Sequence, residues 1–168
     1  ICGAYIEGGE VKAAIIADPC NQIIVQAAYQ KGAFYNGLKI NLNNKPEIDI
    51  KQMQLECEMP IKTSTDIVET STNGKINPLE FISPIMKHVS GFRKSGSTAL
   101  DIVNLVLGQK SIIISSNLAP HDIAAAVLIS NEAGAIITDL KGNPAKYNSD
   151  TIIASLPKAH KFILELIN

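Results

Sequence analysis

Asn117-Leu118-Ala119-Pro120-His121-Asp122-Ile123-Ala124-Ala125-Ala126-Val127-Leu128-Ile129-Ser130-Asn131-Glu132-Ala133-Gly134-Ala135-Ile136-Ile137-Thr138 reads as loop, helix, stop and strand in succession. Residues 117–121 have loop character. Asp122 to Ala133 consists mostly of good helix formers. Gly134 ends the helix, because glycine takes the left-handed C-terminal conformation without steric cost. Ala135 to Thr138 then has the apolar, β-branched look of a buried strand.

Working outward, the same alternation continues on both sides. Upstream, Phe92-Arg93-Lys94 is short and extended, and Ser95-Gly96-Ser97 turns into a helix running to about Leu107. Ala99, Ile102, Val103 and Val106 recur at helical spacing, and Gly108 stops the helix. Ser111 to Ser115 is the next strand. Downstream, Lys141-Gly142-Asn143-Pro144 separates the 135–138 strand from another at Thr151 to Ala154. Pro157 opens a last helix that packs through Phe162, Ile163 and Leu166. Strands alternating with helices make this half a layered α/β unit.

The first forty residues differ. Gly8-Gly9, Asp18-Pro19-Cys20-Asn21, Gly32 and Asn36-Gly37 punctuate apolar runs at Ala4–Glu7, Val11–Ala17, Ile23–Tyr29 and Leu38–Ile40. Turns this close leave no room for helices, so the segment is an antiparallel meander. Asn43 to Pro46 is a loop and Met53 to Cys57 a strand. Thr63 to Asn77 is a polar surface excursion. Asn77-Pro78 starts a helix with apolar positions Leu79, Ile82, Ile85, Met86 and Val89, which Pro84 is expected to kink or restart. The fold class is α/β with mixed sheets layered with helices. Residues 1–60 form the meander and 61–168 an α/β sub-domain. Ile1 to Ile6 looks like a strand already under way, which raises the expectation that an upstream segment is missing.

Of 168 residues, 46% are hydrophobic and 18% charged, with 15 basic against 16 acidic side chains. Such a chain can bury a core, and it has no basic cluster to suit nucleic acid or an anionic membrane. An anionic ligand must be held by placed groups. Cys2, Cys20 and Cys57 form no paired motif, so neither disulfides nor zinc are expected, and the usage fits a reducing cytoplasm. No apolar run is long enough to span a bilayer.

Two loop-to-helix junctions carry the candidate chemistry. At Gly96-Ser97-Thr98, helix-terminal amides attract anions and glycine admits close approach; Ser97 reads equally as a helix cap, with Asp101 in the first turn. At Pro120-His121-Asp122, the aspartate reads as a cap or as an oxygen ligand for magnesium. His121 reads as structural or solvated, and His88 and His160 as surface residues.

Taken together, three segments resemble the inositol monophosphatase family. Gly91 to Asp101 is similar to its arginine, glycine and small-hydroxyl segment before a helix. Asp122-Ile123-Ala124-Ala125-Ala126, Glu132-Ala133-Gly134-Ala135 and Thr138-Asp139-Leu140 to Gly142 resemble its C-terminal signature. Lys31-Gly32-Ala33-Phe34-Tyr35-Asn36-Gly37 resembles its Gly-Ala-Phe-x-Asn-Gly hairpin. The resemblance implies the C-terminal, substrate-side part of an αβαβα sugar-phosphatase sandwich. It also implies Mg2+-dependent hydrolysis of a small phosphate monoester by the complete protein. Asp122 would be a metal ligand, and Gly96, Ser97, Thr98, Ser115 and Asp122 would bind substrate. A homodimer is expected, and no catalytic base is assigned. The family's Gly-Glu-Glu segment and Asp-Pro-x-Asp-Gly-Thr loop do not occur, so this chain alone is expected to be inactive. His121 stands where the family has Trp, and Ser115 where many members have Glu. A nucleotidase or fructose bisphosphatase of the same fold, or a non-catalytic binding and dimerisation relative, are the alternatives.

Overall fold

The computed structural model of the chain describes residues 1–44, 49–61, 63–71 and 74–167. Residues 45–46 of the expected loop and 72–73 of the expected excursion lie outside the described residues. Five strands, β1 (Cys2–Glu7), β2 (Glu10–Asp18), β3 (Ile23–Ala28), β4 (Gly32–Tyr35) and β5 (Leu38–Ile40), form an antiparallel sheet in chain order. The last hairpin turns at Asn36-Gly37 with φ of 45° and 84°, the paired positive values of a type I′ turn. The Asn36 side chain secures it, accepting the Ile24 amide at 2.8 Å and donating to the Gln22 carbonyl at 2.9 Å.

The meander ends at Ile40. The next strand, β6 (Gln54–Glu58), belongs to a second sheet, and a small hairpin of β7 (Val68–Thr70) and β8 (Gly74–Ile76) rises from the expected excursion. Helix α1 (Pro78–Met86) leads to β9 (Gly91–Arg93), α2 (Thr98–Val106) to β10 (Ile112–Ser116), and α3 (Pro120–Ala133) to β11 (Ile136–Thr138); β12 (Thr151–Ser155) precedes α4 (Pro157–Ile167). The second sheet has the order β11-β12-β10-β6-β9. Its β10, β6 and β9 run parallel, and β12 is antiparallel to β10 and β11.

Burial shows the layers. Ile113 on β10 joins one core with Ile16 and Val25 of the first sheet and Ile102, Ile123 and Ile129 of α2 and α3. Its neighbours Ile112 and Ile114 join a second core with Leu55, Ile82, Ile85 and Ile163. Helices α2 and α3 thus lie between the sheets, and α1 and α4 cover the far face of the second. A strand buried on both faces reads as an unbroken apolar run, as Ile112-Ile113-Ile114 does. The outer face of the first sheet presents Tyr5, Ile15 and Ile24, at 58%, 39% and 45% exposure.

Two of the family-like segments meet in space. Glu132 on α3 accepts the amides of Gln30 and Gly32 at 2.7 and 2.6 Å, clamping the turn that enters the Gly-Ala-Phe hairpin. Gly134 caps α3 at φ 91°, with the Asn43 side chain against the position of any added Cβ. Asp139 accepts the amides of Lys141 and Asn143 and the Asn143 side chain, and so shapes the following turn.

Several expectations need correction. Helix α3 begins at Pro120 rather than Asp122, because proline suits a first helical turn that needs no amide donor. Pro84 lies inside α1 without dividing it. Ile82 and Ile85 are buried as expected, whereas Leu79 and Met86 are exposed at 37% and 39%. His160 is buried, not on the surface: Nδ1 and Nε2 sit 3.0 Å from the Ser155 and Thr138 hydroxyls. Burial holds its pKa down at about 4. Among the described residues no helix is long and apolar enough to cross a membrane.

Candidate functional site

Parallel strands β6 and β10 end side by side, and ligands of α/β sheets bind at such carboxyl ends. A cavity of about 280 Å³ opens there, lined by Glu58, Gly96, Ser97, Thr98, Ala99, Ser115, Ser116, Leu118 and Asp122. All five residues expected to bind substrate are brought together in it. The N-termini of α2 and α3 both border this cavity with the positive ends of their dipoles; α2 offers first-turn amides there, whereas α3 begins at Pro120, which has none, and its Ala119 and Asp122 amides are bonded to Asp122 Oδ2 and the Ala119 carbonyl.

The α2 junction is built locally. Gly96 turns at φ 86°, and Ser97 takes an extended conformation and caps Leu100 at 3.4 Å. Thr98 is largely buried, its hydroxyl 2.8 Å from that of Ser115. Ser115 is fully buried, so it is a wall of the cavity already engaged with Thr98.

At the α3 junction the Asp122 side chain is 46% exposed. It occupies the third helical position, where Oδ2 accepts the Ala119 amide at 3.1 Å, reaching back one turn. The other oxygen, Oδ1, lies 3.6 Å from Nε2 of the solvated His121. One carboxylate is too small a donor set for Mg2+, which demands near-octahedral oxygen coordination. Among the described residues no group of three His, Cys, Asp or Glu side chains is placed to hold a metal ion. These residues alone therefore do not fit a magnesium centre.

A second tier of carboxylates lies behind the α2 junction, and sequence reasoning missed it. Glu58 Oε1 accepts the amides of Ser95 and Gly96 at 2.6 and 2.8 Å, and the Ser95 hydroxyl at 3.3 Å. The same hydroxyl lies 2.9 Å from Asp101 Oδ2. Asp101 is fully buried and its Oδ1 has no hydrogen-bond partner among the described residues. Burial, reinforced by the nearby Glu56 and Glu58, raises its pKa to about 6. Glu56 is buried and paired with Lys110. In the sequence Asp101 stands in the first turn of a visible helix, but Glu58 only closes an apolar strand, and its partner strand is distant in the chain.

The sequence profile of the inositol monophosphatase family matches residues 1–168. The putative Nus factor SuhB of Neisseria meningitidis serogroup B is 29% identical over 165 residues, which cover 98% of this chain and 59% of that protein. The fructose-1,6-bisphosphatase/inositol-1-monophosphatase of Thermotoga maritima is 28% identical over 165 residues, covering 98% of this chain and 58% of that protein. In structure, the extragenic suppressor protein suhB of Bartonella henselae superposes with a TM-score of 0.80 at 24% identity, over 98% of this chain and 61% of that one. The chain thus spans about three fifths of the length of these relatives. The chain belongs to the inositol monophosphatase family.

Proposed function

We propose that this chain forms the substrate-side wall of a cytoplasmic, homodimeric phosphatase that hydrolyses a small phosphate monoester with Mg2+. The observation behind this reading is the convergence of two helix N-termini and Asp122 on one cavity at the carboxyl ends of β6 and β10. Helix-terminal amides there suit a phosphate, and Gly96, Ser97 and Thr98 shape the space for the alcohol part, backed by Ser115. Asp122 offers one carboxylate oxygen towards the metal, and the remaining ligands come from parts of the complete protein beyond these residues. Magnesium would supply charge stabilisation to the phosphoryl group. The 168-residue chain by itself does not turn substrate over.

Asp122 in the complete protein tests this reading. Asparagine can accept the Ala119 amide as aspartate does, so Asp122→Asn keeps the melting temperature, whereas a lost anionic ligand raises the magnesium needed for half-maximal rate and lowers turnover. Asp122→Ala in addition loses the hydrogen bond to the Ala119 amide, about 1 kcal/mol of stability. Unchanged magnesium dependence in folded Asp122→Asn protein would leave the residue a cap alone.

A second reading has a relative's name behind it: a protein 29% identical to this chain is a putative Nus factor. On that reading the fold serves binding rather than hydrolysis. Absence of phosphate release from inositol phosphate, fructose bisphosphate and aryl phosphate by the complete protein would favour it.

A further inference from the structure

We propose that Glu58 reads the alcohol part of the substrate, accepting a hydrogen bond from a hydroxyl of a polyol phosphate. This rests on the phosphatase reading above. Glu58 and Ser115 are register partners on the parallel strands β6 and β10, so their side chains project from the same face of the sheet. The Ser115 hydroxyl is buried and engaged with Thr98. A carboxylate next to it therefore reaches the cavity from the neighbouring strand, at Glu58.

The geometry leaves Glu58 one oxygen for a ligand. All three of its hydrogen bonds to described residues fall on Oε1, from the Ser95 and Gly96 amides and the Ser95 hydroxyl. That set holds the carboxylate in place against the glycine turn and leaves Oε2 as an acceptor. A carboxylate oxygen takes a hydrogen-bond donor or a cation and repels a phosphate dianion; loss of a cation ligand would weaken all phosphate esters alike, so selectivity among esters marks the donor. A donor without negative charge that accompanies a phosphate ester is a hydroxyl of the esterified alcohol. Glu58 thus favours esters with a hydroxyl close to the phosphate over esters that have none.

The experiment compares the KM of the complete protein, in magnesium-containing buffer, for glycerol 2-phosphate and for phenyl phosphate, because both esters would be consumed during a binding titration. Glu58→Gln keeps a carbonyl oxygen for the two amides and replaces the second acceptor with a donor. It should weaken glycerol 2-phosphate binding about tenfold, the scale of one hydrogen bond to a charged group, leave phenyl phosphate binding unchanged, and lower the melting temperature only slightly as the two amides exchange a charged acceptor for a neutral one. Equal loss for both esters, or loss for neither, overturns the assignment while the phosphatase reading stands. Wild-type protein that hydrolyses neither ester overturns both. If Glu58→Gln does not fold, Glu58→Asp takes its place: withdrawing the carboxylate by one methylene must weaken the polyol ester selectively, and equal effects on the two esters again overturn the proposal.

Discussion

Asp101 and His160 titrate in opposite senses across the same pH window, and each hides the other. Asp101, buried beside Glu56 and Glu58, holds its proton to about pH 6 in the folded chain, against 3.8 for an ordinary carboxyl. Between those values the folded state carries a proton that the unfolded state lacks, so stability falls as pH rises. His160 does the reverse. The Thr138 hydroxyl donates its proton to the Asp139 carbonyl at 2.8 Å, so it must accept from Nε2–H, while the single Ser155 proton has two acceptors in reach, Nδ1 at 3.0 Å and the Leu156 carbonyl at 3.3 Å, and goes to the nearer. The network is satisfied by a neutral imidazole, and burial lowers the pKa from 6.5 to about 4. Between those values the unfolded state carries the extra proton, and stability rises with pH. With about 1.4 kcal/mol for each pKa unit, each group changes stability by about 2 kcal/mol between pH 4.5 and 6.5, with opposite signs.

Wild type should therefore show little net slope from this pair. Asp101→Asn removes the falling contribution, so its unfolding free energy should rise about 2 kcal/mol more steeply than wild type over that interval. His160→Gln removes the rising one and should fall by a similar amount relative to wild type. Urea unfolding of the three proteins at pH 4.5, 5.5 and 6.5 measures the difference, in which all other titrating groups cancel. Variant curves that run parallel to wild type would refute the reasoning.

Two further outcomes follow from contacts in the fold. Glu132→Ala leaves the Gln30 and Gly32 amides without their carboxylate and should cost about 2 kcal/mol in chemical denaturation, with Glu132→Gln intermediate; a loss below about 0.5 kcal/mol would show the clamp to be ornamental. Tyr5, Ile15 and Ile24 make the outer face of the first sheet apolar, so the 168-residue chain should self-associate at micromolar concentration, and Ile15→Lys should disperse it; light scattering that finds wild type cleanly monomeric would count against this.

What the sequence disclosed and what it withheld divide along one physical line. Ser97 and Gly134 act on backbone groups a few residues away, and their roles are legible from spacing because a helix end needs a cap and a left-handed stop wherever it occurs. The alternation of strands and helices after residue 91 is legible for the same reason. The start of α3 differs by two residues only, since the loop reading stopped at His121 while proline at 120 already holds a helical φ. His160 is different. Its place on a helix is readable, but burial depends on which face meets β11 and β12, and those strands bring Thr138 and Ser155 to it from other parts of the chain. Glu58 is the extreme case. A glutamate closing an apolar strand looks like a solvated end until the parallel pairing with β10 is known, and that pairing depends on the α2 crossover returning the chain beside β6. The same pairing sets Glu58 beside Ser115. A cavity at the carboxyl ends of adjacent strands takes its lining from both, here Ser115 from β10 and Glu58 from β6. The cavity's place follows from the topology, and the groups that line it follow from the register.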